Sequence, residues 1–173
     1  MLIKLIGSFI VLVSCSVLGF IHSQKFSRRP SELRTLQGLL QMFENEISFL
    51  SNVLSDAFLK IHRCSDSLVS LFFMATVENL RSDAGLNASE AWAMAVEENI
   101  SRTSLCKEDK EILVSFGKLL GGSDIDGQIK NIRLTINQLK LQEQKAEELR
   151  RKNEGMFKNL GVLGGLAIII ILF

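Results

Sequence analysis

The side chains best equipped for chemistry in this chain are His62 and Cys64, two positions apart. An imidazole and a thiol can hold zinc, but a structural zinc site needs four such ligands. No second histidine or close carboxylate joins them, so His62 reads as a surface or core-edge side chain. Glu44 and Glu46 come nearest to a carboxylate pair. Two positions apart on a helix they do not share a face, which argues against joint acid–base work. Asp124-Ile125-Asp126-Gly127 begins like a calcium loop. It lacks the further oxygen ligands and the distal glutamate, and it reads as a helix cap. Gly121-Gly122 is not followed by the lysine and hydroxyl residue of a phosphate loop. Asn87-Ala88-Ser89 is a formal glycosylation sequon without consequence in a cytoplasmic helix cap. Trp92, the single tryptophan, suits core packing better than a partner hot spot. The residues therefore predict no enzyme, no metal and no cofactor.

What remains is an interaction protein, and its layout says how it is held. Leu2 to Ile21 is one apolar stretch whose only charge is Lys4, and Leu160 to Phe173 is another. Charged, helix-patterned sequence lies between them. The first stretch gives about 30 Å as a helix, enough to span the hydrocarbon core. Leu12-Val13-Ser14-Cys15 also resembles a lipoprotein box, and Ile21-His22-Ser23 is a poor cleavage site. A retained span is favoured, because the apolar run continues past Cys15 to Ile21. The second stretch gives about 21 Å, short of a span, unless Phe157 and a snorkelling Lys158 extend it. Whether it fully crosses stays open. Gly161 and Gly165 form a GxxxG face, and Cys15 with Gly19 offers a small-xxx-small counterpart, although glycine is common in membrane helices anyway. The expected organisation is an N-terminal transmembrane helix at 1–22, a helical domain at 23–155 and a C-terminal transmembrane helix at 156–173.

Charge sets the expected orientation. The net charge is +1, which argues against a nucleic-acid partner. Lys25, Arg28, Arg29 and Arg34 follow the first apolar stretch, and Arg150, Arg151, Lys152 and Lys158 precede the second. The positive-inside rule then puts the domain in the cytoplasm and both termini across the membrane, with Lys4 weakly opposed. Three cysteines without a CxxC fit reduced thiols in that compartment.

The middle is all-α in its vocabulary, with one proline and no tyrosine. Pro30 suits the first turn of a helix. Leu33, Leu36, Leu40, Phe43, Ile47, Leu50 and Leu54 recur at heptad spacing and predict a helix from Pro30 to Asn52 or slightly beyond. Ser55 to Arg63 carries Ala57, Phe58 and Ile61. Ser65 to Leu80 presents Leu68, Leu71, Phe72, Ala75 and Leu80. Asn87 with Glu90 reads as a variant capping box for Ala88 to Ile100. Lys107 to Leu120 aligns Ile112, Leu113, Phe116, Leu119 and Leu120. Gly121 and Gly122 end it, and Ser123 or Asp124 caps a last helix seamed by Ile125, Ile129, Ile132, Ile136 and Leu139, running toward Asn153 with Gly155 as a weak point. The expected domain is a six-helix bundle between two transmembrane helices.

Three stretches carry a family resemblance. Arg29-Pro30-Ser31-Glu32-Leu33-Arg34 with Leu36, Leu40, Glu44 and Glu46 resembles the opening of the stage III sporulation protein AB family. Phe116-Gly117-Lys118-Leu119-Leu120-Gly121-Gly122-Ser123-Asp124, with Gln128 and Ile132, is similar to its second signature. Lys152-Asn153-Glu154-Gly155-Met156, then Leu160-Gly161 and the apolar end, is similar to its C-terminus. The resemblance implies a membrane protein of endospore-forming bacteria, in the outer forespore membrane on the mother-cell side, within the channel complex between the two cells. It implies a domain similar to the cytoplasmic helical domain of the type II secretion platform protein. It implies a sporulation secretion-type ATPase as partner, with other membrane proteins of the complex, membrane lipids and further copies of the chain.

The expected role is a non-enzymatic scaffold that couples such an ATPase to the membrane channel. Candidate contacts are the off-seam charges Glu32, Glu44, Glu46, Lys130, Arg133 and Lys140. The alternative is a membrane-anchored sensor whose Leu33-to-Leu54 seam is a self-associating stalk.

Overall fold

The computed structural model describes residues 27–48, 54–82, 85–122 and 124–172, with side chains as far as Asn153. The described residues are helical and include no strand. One compact unit spans Arg29–Gln144, and Lys145 onward belongs to a second.

In the first unit, helix α1 covers 27–48 and buries Leu33, Leu36, Leu40 and Phe43 completely, with Leu39 beside them. This is the heptad seam widened by one residue into the face a globular helix needs. The helix is already formed at Ser27, so Pro30 lies inside it and does not open it. Leu54 opens a separate helix, α2 (Leu54–Arg63). Leu50 and Asn52 lie outside the described residues. The self-associating stalk needs Leu33 to Leu54 available to a second copy, whereas Leu33, Leu36, Leu40 and Phe43 are buried among helices of their own chain.

Helix α2 buries the expected Ala57, Phe58 and Ile61. A 3-10 turn at Leu68–Ser70 leads into α3 (Leu71–Arg81). The buried face here differs from the one the apolar residues suggest. Val69, Phe72, Phe73, Thr76 and Val77 point inward, while Leu68 is 38% exposed and Leu71, Ala75 and Leu80 are only half-buried. The inward set follows helical spacing once a threonine is admitted to it. Thr76 Oγ1 donates to the Phe72 carbonyl at 2.6 Å, so its hydroxyl is satisfied without water.

Helix α4 (Ala88–Asn99) begins with the reciprocal cap expected of Asn87 and Glu90. The Glu90 N–H donates to Asn87 Oδ1 and the Asn87 N–H to Glu90 Oε2, both at 3.0 Å. A 3-10 turn at Ile100–Arg102 follows. Helix α5 (Lys107–Gly117) is shorter than the apolar pattern suggests, and Leu119, beyond its end, is 50% exposed. Gly121 has φ +73°, the left-handed turn that glycine adopts without strain. Helix α6 runs Ile125–Leu172, with Asp124 Oδ1 accepting from the Gly127 N–H at 2.9 Å. Ile132 and Leu139 are buried, Ile129 and Ile136 half-buried, and Ile125 is 49% exposed. Gly155 does not interrupt the helix, as its cost of about 1 kcal/mol against alanine is too small to break it.

Four helices meet at Trp92, and a fifth, α1, joins the cluster through Phe43. Its ring centroid lies 5.6 Å from Phe58, 5.3 Å from Phe73 and 5.2 Å from Phe116, and Phe43 reaches Phe58 at 4.8 Å. Tilted and edge-to-face pairs of this kind contribute about 0.5–1.5 kcal/mol each beyond burial. The indole N–H donates to the Leu113 carbonyl at 2.7 Å. Trp92 is thus a core residue, fully buried.

Among the described residues no helix is long and apolar enough to cross a membrane. The expected span at 1–22, with Cys15 and Gly19, lies outside the described residues. Gly161 and Gly165 lie in α6 beyond the last described side chain.

Candidate docking surface

The charged side chains of the first unit form a ladder between α1 and α6. Arg29 Nη2 reaches Gln142 Oε1 at 3.2 Å. Arg34 Nη2 meets Glu143 Oε1 at 2.6 Å, and Gln37 Nε2 donates to Glu143 Oε2 at 2.7 Å. Arg133 Nε donates to Glu44 Oε1 at 2.7 Å, and Gln41 donates to the other Glu44 oxygen at 3.1 Å. From the Arg34–Glu143 rung to the Glu44–Arg133 rung the numbers rise along α1 and fall along α6, so the two helices run antiparallel. Each rung joins a partner more than 85 positions away in sequence.

The carboxylates of the ladder lie low and the cations high. The Glu44 side chain is 8% exposed against 67% for Arg133, and Glu143 is 16% exposed against 69% for Arg34. Burial alone would push the Glu143 carboxyl up, but the hydrogen bonds from Gln37 and Arg34 outweigh it and hold it below the usual glutamate value. An exposed, basic surface with its counter-charges underneath results.

One rung goes deeper. Arg29 donates from Nε and Nη2 to both oxygens of Asp109 on α5, at 2.8 and 2.9 Å. Asp109 is fully buried, and its Oδ2 also accepts the Cys106 N–H at 2.9 Å. The bond to Asp109 raises the Arg29 pKa above its ordinary value. Sequence reasoning missed this pair. Arg29 counted there as a membrane-flanking charge, and Asp109 was not singled out. The one available signal was Asp109's position three residues after Cys106, where a capping carboxylate sits.

The six candidate contact residues separate accordingly. Glu32 accepts the Ser104 N–H at 2.6 Å, and Glu46 meets Lys60. Glu44 and Arg133 meet each other. Lys130 and Lys140 are exposed on α6. His62 Nδ1 lies 3.1 Å from Ser70 Oγ, a local structural bond. Cys64 is exposed and Cys106 half-buried, both unpaired. No group of three or more metal-ligating side chains occurs among the described residues.

Comparison with known proteins agrees with this helical architecture. The family model for stage III sporulation protein AB matches residues 4–173. Stage III sporulation protein AB of Bacillus subtilis (strain 168) is 33% identical over 171 residues, 99% of each chain. A solved structure of stage III sporulation protein AB (SpoIIIAB) superposes with a TM-score of 0.67 at 30% identity, covering 72% of this chain and 98% of that one. The chain belongs to the stage III sporulation protein AB family.

Proposed function

We propose that this sporulation protein is a non-enzymatic scaffold of the mother cell–forespore channel complex. It is anchored in the outer forespore membrane by its two apolar ends and presents the helical unit to the mother-cell cytoplasm. There the unit couples a sporulation secretion-type ATPase to the channel's membrane proteins. Coupling needs a surface that does not yield when pulled. The observation that supports the reading is the ladder between α1 and α6, which ties residues 29–44 to residues 133–143 by side-chain bonds and keeps a basic face outward.

The test is co-purification of the ATPase with the full-length chain from detergent extracts of sporulating cells. Lys130→Glu with Lys140→Glu is the informative variant, because both side chains are exposed. Glu44 is not suitable, since reversing it strands Arg133 and disturbs the fold. Loss of the ATPase with an unchanged melting temperature supports the reading. Unchanged capture removes this face from it.

A further inference from the structure

The outward side of α6 carries a second seam that no helix of the first unit covers. Lys130, Leu134, Asn137, Leu141 and Gln144 follow one another at spacings of 4, 3, 4 and 3. All five are exposed, Leu134 by 56% and Leu141 by 59%. Two leucines one heptad apart with an asparagine between them is the pattern of a narrow helix–helix contact. Such an asparagine fixes register at some cost in affinity. Lys140 and Arg133, the latter also bonded to Glu44, lie beside the seam one heptad apart and exposed, at the flanking positions whose charges set partner choice in coiled coils. From Gly127 to Gln142 the helix contains no carboxylate.

We infer that this seam docks an amphipathic helix of a partner protein, with leucine-type side chains at heptad spacing and acidic residues on both sides of them. The leucines supply the apolar contact and the cations choose the partner. A second copy of the chain fits poorly, because Gly127 to Gln142 would bring cations and no carboxylate from both copies to the contact. A lipid surface fits poorly as well. An interfacial helix needs a broad apolar face, and this stripe is one residue wide and interrupted by Asn137. The inference deepens the scaffold reading and rests on it for its place in the cell. ATPase capture and helix binding can nevertheless fail separately, and each failure overturns only its own claim.

The experiment uses the full-length chain in phosphatidylcholine nanodiscs, titrated with a fluorescent three-heptad peptide with leucine at the seam and glutamate beside it. A lysine-flanked peptide of the same pattern is the control. The expected result is saturable, salt-weakened binding of the glutamate peptide alone. Leu134→Ser with Leu141→Ser, and separately Lys130→Glu with Lys140→Glu, should each weaken it about tenfold or more. Lys118→Glu, an exposed cation off the seam, should leave it unchanged. Four results overturn the inference: no binding, equal binding of both peptides, equal weakening by Lys118→Glu, or insensitivity to the leucine pair. A dimer of the chain that the leucine pair dissociates, or phosphatidylserine vesicle binding that the pair abolishes, would also overturn it, in favour of a second copy or of lipid.

Discussion

Arg29 and Asp109, 80 positions apart, meet through two hydrogen bonds of 2.8 and 2.9 Å, the arginine 16% exposed and the carboxylate not at all. The pair joins the start of the described part of α1 to the first turn of α5. Removing Arg29 leaves a buried carboxylate with only the Cys106 N–H. Such a loss costs about 3–5 kcal/mol in a fully buried site and somewhat less here, where Arg29 reaches water. Arg29→Ala should therefore lower denaturant stability by roughly 2–4 kcal/mol. The double variant Arg29→Met with Asp109→Leu should recover much of that loss. A double variant no better than Arg29→Ala would show that the pair is not the source.

Gly117 packs against the indole of Trp92. A methyl group at Gly117 would sit 2.3 Å from Trp92 Cδ1, closer than any side chain tolerates. The ring cannot retreat freely, because its N–H is bonded to Leu113 and three aromatic rings surround it. Gly117→Ala should destabilise the unit by about 1–3 kcal/mol through overpacking. The single tryptophan reports directly on its own surroundings. Its emission should shift to longer wavelength in the variant at native conditions, and an unshifted spectrum with unchanged stability would refute the contact.

Much of the helical plan is legible in one chain because its signals are local. The Asn87–Glu90 cap, the Asp124 cap, Gly121 and the buried Leu33, Leu36, Leu40 and Phe43 all depend on neighbours within a few positions. The buried face of α3 was displaced because counting apolar residues alone omits a threonine that satisfies its own hydroxyl. The ladder was not legible at all. Glu44 and Arg133 both look solvent-facing from helical spacing, and only the antiparallel pairing of α1 with α6 turns one onto the other. Arg29 was assigned to the membrane boundary by the same limitation, since Asp109 is its partner only in three dimensions.

Acid should weaken the ladder through Glu143. Its carboxyl is held below its ordinary value in the folded chain by Gln37 and Arg34, against the upward push of burial. A depressed folded pKa contributes stability that is fully present above the unfolded value and is lost as pH falls through the folded one. The melting temperature should hold above the normal glutamate range and decline below it. Glu143→Gln should start lower at neutral pH and decline less. Parallel declines in the two proteins would assign the acid sensitivity to other carboxylates.

The two thiols of the first unit should differ in reactivity. Cys64 is exposed. Cys106 is half-buried, and burial together with its 2.8 Å hydrogen bond to Glu108 raises its pKa, so less thiolate is present at neutral pH. In a Cys15→Ser background, maleimide should label Cys64 first and Cys106 more slowly, with the gap narrowing as pH rises. Equal rates at neutral pH would contradict the placement of Cys106. The same reagent in membrane-impermeant form tests the proposed orientation. A unit facing the mother-cell cytoplasm keeps Cys64 unlabelled until the cells are permeabilised. Labelling of Cys64 in intact cells would place the unit on the far side of the membrane, out of reach of any cytoplasmic ATPase, and would end the coupling role while leaving the α6 docking seam intact.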